Sequence, residues 1–135
     1  MFYTPPIGRP LIQIGKPGAY EFVYGTDDQA DSAVRDLNAS YEIAWEVYQK
    51  MLSDNVAKEV ARMCLPVAIY STAYVTMNPR SMMSFLSLRT KSDISTFPSY
   101  PMWEINQVAN QQEKIFAELF PLTHTAFNDN GRVSP

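Results

Sequence analysis

Two arginines lie in one apolar segment, residues 76–90, which reads TMNPRSMMSFLSLRT. Arg80 and Arg89 cannot both be buried alone, because a buried charge without a partner costs several kcal/mol or more. Asn78 can cap a helix that begins at Pro79. The free N–H groups of such a helix start, together with Arg80, would suit a phosphate or another electron-rich group. The partners of these cations must therefore be protein carboxylates or the anionic groups of a bound ligand.

The spacing of the two arginines places them on opposite sides of a helix. Arg89 follows Arg80 by nine residues, which corresponds to a rotation of about 180°. One helix could therefore contact two ligands, or two subunits. Arg62, near the end of a shorter helix, would add a third cation if that helix packs alongside. The alternative is that the arginines are solvated or paired with surface carboxylates and that Asn78 is only a cap, and spacing alone favours this alternative.

The other side chains that could take part in chemistry give weaker evidence of a site. Cys64 and His124 are the only cysteine and the only histidine. Because a cysteine nucleophile needs a histidine nearby, we interpret Cys64 as a small buried hydrophobe and His124 as a surface or packing residue. A single cysteine forms no internal disulfide and builds no metal site, so we expect no metal. It also fits a reducing cytoplasm.

Composition bounds the class of protein. The chain has 135 residues, of which 46% are hydrophobic and 13% aromatic, and this predicts one globular domain over residues 1–135. The net charge is −3, so no global field attracts nucleic acid, and any anion site must be a local group of arginines. No apolar run reaches the roughly 18 residues of a membrane span. The start, MFYTPPIGRP, shows no secretion signal and reads like the middle of a protein.

The chain is expected to begin with loops and to continue into helices. Residues 1–25 hold four of the ten prolines and four of the five glycines, which predicts a loop-rich segment with two short strands. Thr26 and Gln29 then form a capping-box pattern. Apolar residues recur after them at steps of three and four, which predicts a long amphipathic helix that reaches Leu52.

Changes of period and further caps define the remaining elements. β-Branched and aromatic residues alternate over residues 67–77, which predicts a strand. Asn78 and Pro79 start a helix to about residue 89, and apolar residues surround it on most sides, so it should be buried. The fold class is therefore predicted as α+β, mostly helical, with a short strand or two. Three further elements complete the order: a short helix over 56–64 that Pro66 ends, a loop over 90–101, and a last helix from 103 with a kink or restart at Pro121.

Several blocks of the chain, in order, resemble one protein family. EVARMCLPVAIYSTAYVTMNPRSMMSFLSLR, followed by WEINQVA, is similar to the C-terminal half of flavin-dependent thymidylate synthases, the ThyX family. Members of that family show a comparable succession, VAR…LP…N-x-R-S-L…F-L-x-L-R…WEI. FYTPP near the start resembles the segment just after the family signature. The resemblance covers residues 2–127 and implies the fold and the chemistry of the family.

That chemistry produces thymidylate. The family passes a methylene group from methylene-tetrahydrofolate to dUMP and reduces it with a hydride from FAD, which NADPH recharges. The resemblance therefore implies dUMP as substrate, FAD as cofactor, and NADPH and methylene-tetrahydrofolate as co-substrates. It also implies a homotetramer-like assembly.

Individual residues match site positions of the family. Arg62 matches an arginine that contacts dUMP, and Asn78 and Arg80 match the Asn-x-Arg pair that contacts FAD. Ser84 stands where many members have an asparagine for the same cofactor, with a shorter side chain. Arg89 matches the arginine proposed to favour ionisation of the uracil N3, so the resemblance implies that it is both a dUMP ligand and the catalytic residue. A fixed guanidinium beside a developing negative charge acts by electrostatic stabilisation.

Two features depart from the family pattern. The connection after Arg89 is longer than expected, and Asp93 or its neighbours stand where a histidine is common. The signature R-H-R-x-x-S-x-N-x-x-S-x-R-Y, which supplies much of the dUMP and flavin phosphate binding, is absent and should lie just before Met1. We therefore expect a C-terminal portion that is active only with an N-terminal half. The alternative is a non-catalytic remnant or an oligomer-forming helical protein that binds no flavin.

Overall fold

The computed structural model describes residues 1–135, and helices dominate it. No helix combines the length and the apolar character that crossing a bilayer requires. The predicted fold class, α+β and mostly helical, is confirmed. In chain order the elements are β1 (Ile12–Lys16), β2 (Ala19–Val23), α1 (Asp27–Ser53), α2 (Lys58–Ala61), a 3₁₀ turn (Arg62–Cys64), α3 (Pro79–Arg89), α4 (Trp103–Leu119) and α5 (Pro121–Asp129).

The chain divides into two compact units. The first comprises Met1–Leu11 and Tyr24–Ala73, and the second comprises Ile12–Val23 and Tyr74–Pro135. Helices α1 and α2 thus belong to the first unit, whereas the two strands and α3, α4 and α5 belong to the second. The single domain over residues 1–135 stays a prediction.

Helix α1 begins where the sequence predicts it. Thr26 Oγ1 accepts a hydrogen bond of 3.2 Å from the Gln29 N–H, and the Thr26 N–H donates to Gln29 Oε1 at 2.9 Å, which completes the capping box. Two aspartates in the first turn and Lys50 in the last turn complement the helix dipole. The helix ends at Ser53. Asn55 follows with a φ of 59°, a left-handed conformation that asparagine tolerates better than most residues.

The first residues of the chain pack on the middle of α1. Tyr41, which is buried, donates from its hydroxyl to the Tyr3 carbonyl oxygen at 2.8 Å. The Phe2 ring stacks on the Tyr41 ring with 4.9 Å between the centroids. The Tyr3 N–H donates in turn to the Ala68 carbonyl oxygen at 2.8 Å. Aromatic contacts and backbone hydrogen bonds therefore hold the N-terminal residues to the first unit.

The short helix predicted over residues 56–64 is present in two pieces. Helix α2 begins at Lys58 without a side-chain cap, and the chain then tightens into the 3₁₀ turn at Arg62–Cys64. Leu65 is extended, with φ −76° and ψ 135°, because the following proline excludes the helical region for the residue before it. Cys64 is half-buried, and its Sγ donates to a carbonyl oxygen of α2 at 3.1 Å, so it packs within the unit.

The strand predicted over residues 67–77 is wrong. Residues 67 and 68 form a turn, and residues 70–77 have no regular secondary structure. The only strand-like pairing of the segment is an isolated antiparallel bridge between Ile69 and Phe2. Tyr74 and Val75 are exposed to solvent. Alternating β-branched and aromatic residues describe a chain that would suit a sheet. A strand forms only where a second strand supplies partners for its backbone, however, and the first residues of the chain supply one bridge.

The second unit contains a hairpin of β1 and β2. The strands pair antiparallel in one continuous register, so the two short strands predicted within residues 1–25 are confirmed. Gly15 has a φ of 97°, and a Cβ at this position would lie 2.5 Å from the Ala19 carbonyl oxygen. Only glycine fits there. Glu21 of the hairpin forms a salt bridge of 3.1 Å with Lys91, which follows α3.

Helices α3, α4 and α5 supply the apolar core of the second unit. The buried cluster consists of Met83, Leu86, Ala109, Phe116 and Phe127. Leu86 is fully buried, and burying a side chain of this size is worth about 1.5–3 kcal/mol. Phe120 separates α4 from α5 because its φ of −133° and ψ of 58° leave the helical region. The predicted restart at Pro121 is therefore confirmed.

Helix α3 has the predicted ends but is buried on one side only. Met83 and Leu86 belong to the core, whereas Arg80, Ser84 and Leu88 are exposed, Leu88 to 59%. The prediction of a buried helix is wrong because α4 packs against one side of α3 and leaves the other open. Apolar residues do not ensure burial, since much of the surface of a folded protein is apolar.

Candidate functional site

The start of α3 carries the predicted anion-binding features in reduced form. Asn78 is the N-cap, and its Oδ1 accepts a hydrogen bond of 2.9 Å from the Ser81 N–H. Pro79 has no N–H, and the Met82 N–H donates to the Asn78 carbonyl oxygen at 3.0 Å. Among the donors of the first turn, the Arg80 N–H is left free. The helix start therefore offers one backbone donor rather than several.

Arg62, Arg80 and Arg89 all expose their side chains. None of the three guanidinium groups forms an ion pair or donates a hydrogen bond within the protein. Protein carboxylates are thus not their partners. The structure thus shows solvated arginines, the alternative that spacing alone favours. All three guanidinium groups are therefore available to the anionic groups of a bound ligand.

Asn78, Arg80 and Ser84 come together in the first half of α3, and all three are exposed. Ser84 follows Arg80 by four residues, which places it about 40° further around the helix. Arg89 lies about 180° from Arg80 and at the last residue of α3, so the helix separates it from the three predicted flavin residues. Arg62 belongs to the first unit. The roles assigned to these five residues stay predictions.

A cleft of about 600 Å³ borders the exposed side of α3. Ser87 and Leu88 form its helical wall, and Ser99 Oγ donates to the Leu88 carbonyl oxygen at 2.6 Å, which holds the long loop before α4 against the helix. The hairpin and the loop contribute three aromatic side chains to the cleft: Tyr20, Phe97 and Tyr100. Aromatic side chains that line a cleft suit a ligand with a flat ring that stacks on them.

A smaller groove of about 250 Å³ lies beside the cap of α3. Gln112 Oε1 is buried and has no hydrogen-bond partner. Asn78 lines this groove, whereas Arg80, two residues further along the chain, does not. A phosphate suits the guanidinium and free N–H of Arg80, and a flat ring suits an apolar groove. Apart from Asn78 and Gln112 the groove is apolar, and it is lined by Met77, Pro79, Met82, Ile115, Phe116, Leu119 and Phe120.

Sequence reasoning missed a buried ion pair in the second unit. Arg132, which is 6% exposed, donates from Nη1 and Nη2 to the two carboxylate oxygens of Glu113 at 2.7 and 2.8 Å. Nη2 also donates to Thr90 Oγ1 at 2.7 Å, and Nη1 to Asn128 Oδ1 at 2.8 Å. Glu113 and Thr90 lie 19 and 42 residues from Arg132, so no local pattern reveals the contacts. The only local signal is the asparagine–glycine pair before Arg132, which predicts a turn.

His124 joins this cluster. Its Nε2 lies 2.9 Å from Glu113 Oε1, and its ring stands edge-on to Phe116, in keeping with a packing role. Burial alone would raise the pKa of Glu113, but hydrogen bonds and charge from Arg132 and His124 outweigh burial and hold the pKa below its ordinary value of 4.5. The structure contains no group of three or more histidine, cysteine, aspartate or glutamate side chains placed to hold a metal ion.

Comparison with known sequences identifies similar proteins. Residues 2–122 match the family described as thymidylate synthase complementing protein. The flavin-dependent thymidylate synthases of Streptomyces avermitilis and Streptomyces coelicolor are 48% and 47% identical to this chain over 135 residues. That of Tropheryma whipplei strain TW08/27 is 46% identical. The chain spans 55% of the length of the two Streptomyces proteins, about half of each relative.

Solved structures also resemble the chain. The UMP/dUMP methylase PolB from Streptomyces cacaoi, bound with 5-Br UMP, superimposes with a TM-score of 0.93 at 47% identity, over 99% of this chain and 60% of that one. The same methylase bound with 5-Br dUMP gives a TM-score of 0.89. The fold of this chain, the residues that match the family and the order of the sequence blocks all indicate the same family. The chain therefore belongs to the family described as thymidylate synthase complementing protein.

Proposed function

We propose that this chain is the C-terminal part of a flavin-dependent thymidylate synthase that converts dUMP to dTMP. The observation that carries the proposal is the set of exposed arginines, Arg62, Arg80 and Arg89, whose guanidinium groups have no partner in the protein. The phosphates of dUMP and FAD and the carboxylates of a folate are groups that a guanidinium binds with two donors. The names of the relatives support the same chemistry.

Arg89 is the residue that we assign to catalysis. Uracil becomes a better nucleophile at C5 as negative charge develops at its N3 edge, and a planar guanidinium can meet that edge with two N–H donors. Asn106 Nδ2 donates to the Arg89 carbonyl oxygen at 3.1 Å, so the backbone is held while the side chain is free to reach a nucleotide. Arg62, in the first unit, is assigned as a further dUMP ligand on the resemblance alone.

The exposed side of α3 that carries Arg80 and Ser84 is assigned to the flavin. Arg80 offers its guanidinium and its free N–H, Asn78 offers a side-chain amide, and Ser84 adds a hydroxyl one turn further on. Bound there, FAD recharged by NADPH would supply the hydride that reduces the methylene group taken from methylene-tetrahydrofolate. In this proposal the chain binds dUMP and FAD at different positions around helix α3.

A second portion of protein completes the proposal. The chain spans about half the length of its relatives, and the family signature that binds nucleotide and flavin phosphates has no counterpart in it. We therefore infer that activity requires an N-terminal half. The resemblance to the family supports a homo-oligomer, a tetramer, as the active form. We also propose a cytoplasmic location, because a free cysteine such as Cys64 is typical of a reducing compartment.

The test joins this chain to the corresponding part of a relative. The segment of the Streptomyces avermitilis synthase that precedes the matched region is fused before Met1, and dTMP formation is measured with dUMP, methylene-tetrahydrofolate, FAD and NADPH. We expect dTMP from the chimera and none from the chain alone. A folded, flavin-loaded chimera that makes no dTMP would contradict the proposed activity. Product from the chain alone would contradict the need for a second half.

The alternative is a non-catalytic remnant or an oligomer-forming helical protein. Exposed apolar side chains on α4 and α5 favour it, since Ile115 is 56%, Leu119 68% and Leu122 86% exposed. Both proposals predict that a partner surface covers these side chains, but only the enzyme needs the unpaired arginines. Stable oligomers that bind neither FAD nor dUMP, even as the chimera, would favour the alternative.

A further inference from the structure

The segment after α5 contacts α3 at both ends of the helix. Arg132 Nη2 donates to Thr90 Oγ1 at 2.7 Å, and Thr90 Oγ1 donates in turn to the Leu86 carbonyl oxygen at 2.6 Å. At the other end, Ser134 Oγ donates to the Arg80 carbonyl oxygen at 3.1 Å. The C-terminal residues, which lie beyond the part of the chain that matches the family, therefore brace the helix that carries both predicted ligand-binding arginines.

Arg132 is itself fixed from several directions. Its guanidinium binds both carboxylate oxygens of Glu113 on α4 and the amide oxygen of Asn128 on α5. The guanidinium carbon lies 4.8 Å from the centre of the Phe127 ring. Its backbone has a φ of 60°, a conformation that persists in a non-glycine residue only where the surroundings determine it. Because Arg132 cannot move without breaking several charge-assisted hydrogen bonds, it fixes Thr90 relative to α4 and α5.

We infer that Arg132 is a positioning residue for Arg89. Thr90 directly follows Arg89. The Thr90 hydroxyl is hydrogen-bonded to Arg132 and to the Leu86 carbonyl oxygen, and the Thr90 N–H donates to the same carbonyl oxygen at 3.0 Å. Asn106 holds the Arg89 carbonyl oxygen. These bonds hold the peptide group that follows the Arg89 Cα, and Ser99 Oγ holds the Leu88 carbonyl oxygen of the peptide group that precedes it, at 2.6 Å. Because both peptide groups are held, the direction of the Arg89 side chain is set and its guanidinium samples a smaller volume. This inference rests on the proposed role of Arg89 toward dUMP.

The sharpest variant lies at Thr90 rather than at Arg132. Removing Arg132 would leave the partly buried Glu113 carboxylate without its arginine partner, so the protein could fail to fold. Thr90→Val keeps the shape of the side chain, removes the hydroxyl that links α3 to Arg132 and leaves the Arg132–Glu113 pair in place. Thr90→Ser restores the hydroxyl. Tyr41→Phe is the matched control, because it removes one hydroxyl hydrogen bond, to Tyr3, in the first unit.

Backbone hydrogen exchange, measured on the chain alone, reports on the helix end directly. In Thr90→Val, exchange at position 90 and the adjacent end of α3 should accelerate about tenfold or more, because the variant loses the charge-assisted hydrogen bond from Arg132 and the hydroxyl's bond to the Leu86 carbonyl oxygen. Thr90→Ser should exchange like the unmodified chain, and Tyr41→Phe should leave position 90 unchanged. No acceleration at position 90, or acceleration spread evenly over the second unit, would overturn the inference.

The functional experiment uses the chimera and a double-mutant cycle. Thr90→Val should lower kcat/KM for dUMP about tenfold with unchanged flavin content. Combined with Arg89→Ala, it should have no further effect, because a positioning residue acts through the side chain that it positions. Independent, additive losses would overturn the inference. If the unmodified chimera neither binds dUMP nor makes dTMP, the proposed function fails, and the exchange measurement alone decides whether Arg132 fixes the end of α3.

Discussion

The Arg89 carbonyl oxygen accepts a hydrogen bond of 3.1 Å from Asn106 Nδ2, while the Arg89 guanidinium has no partner in the protein. The residue thus combines a held backbone with a free charge. Because the charge stabilises no other group of the protein, its removal should affect ligands more than the fold. This combination suits electrostatic stabilisation, since the backbone that carries the cation is held before the negative charge develops.

Arg89→Ala should abolish most turnover of the chimera without unfolding it. An interaction realised only in the transition state acts on kcat, so the turnover number should fall about 100-fold or more while dUMP affinity falls less. Arg89→Lys should also be poor, because lysine offers a mobile point charge instead of two fixed donors. The measurement is dTMP formation at saturating substrates, after circular dichroism and flavin content are shown to be unchanged. Near-normal turnover in a folded, flavin-loaded Arg89→Ala chimera would refute the assignment.

Arg80→Ala should weaken FAD binding to the chimera by about 1.5–3 kcal/mol, the usual range for hydrogen bonds to charged groups. Affinity for dUMP should change less, because Arg80 and Arg89 lie on different sides of α3. The measurement is a flavin titration followed by fluorescence. Arg35→Ala is the matched control, since Arg35 is an exposed arginine of α1 that contacts Asp36 at 3.5 Å. Equal flavin affinity in both variants would return Arg80 to the role of an ordinary surface residue.

Glu113 should make the second unit sensitive to acid. Burial raises its pKa, but Arg132 and His124 more than reverse this, so the pKa in the folded protein lies below 4.5. A depressed pKa contributes stability that is complete above pH 4.5 and is lost as the pH falls from there through the folded-state pKa. The free energy of unfolding, measured with urea from neutral pH down to about pH 3, should therefore decline below this value.

Glu113→Gln should remove part of that decline. It should also lower the free energy of unfolding at neutral pH by about 3 kcal/mol, because the Arg132 charge stays buried without its carboxylate. Glu118→Gln provides the control, since Glu118 is an exposed glutamate of the same helix. A Glu113→Gln chain with an unchanged acid profile and unchanged stability would show that the pair contributes nothing.

Leu86→Ala should destabilise the second unit by about 2–5 kcal/mol, because it opens a cavity between α3 and α4 at a fully buried side chain. Leu88→Ala, on the same helix, should change stability by less than about 0.5 kcal/mol, since Leu88 is 59% exposed. Urea midpoints at equal m-values measure both effects. Similar losses for the two variants would mean that another surface covers Leu88.

The boundaries of α1 and α3 could be predicted because adjacent residues determine them. Thr26 with Gln29, and Asn78 with Ser81, satisfy backbone donors within a single turn, so the sequence pattern and the hydrogen bonds coincide. The exposure of α3 could not be predicted in this way. Whether Leu88 is covered depends on what packs against the helix, and that is decided by distant parts of the chain.

The strand over residues 67–77 and the Arg132 cluster escaped prediction for a related reason. An alternating pattern shows that a segment could pair, but not that a partner strand exists. Arg132 finds Thr90 across 42 residues, and nothing near either residue marks the contact. The candidate site residues on α3 followed from the resemblance, whereas their exposure and lack of partners could be known only from the fold.

The two ends of α3 should form at different moments in folding. The Asn78 cap closes the first turn from three residues away, and such local turns form within about a microsecond. The last turn depends on Asn106 and Arg132, whose contacts span 17 and 42 residues and form only once those loops have closed. The end that carries Arg80 can thus arise in a short nascent peptide. The end that carries Arg89 takes its final geometry only after the C-terminal residues have been synthesised and docked, so a partly made chain cannot yet present the proposed catalytic charge.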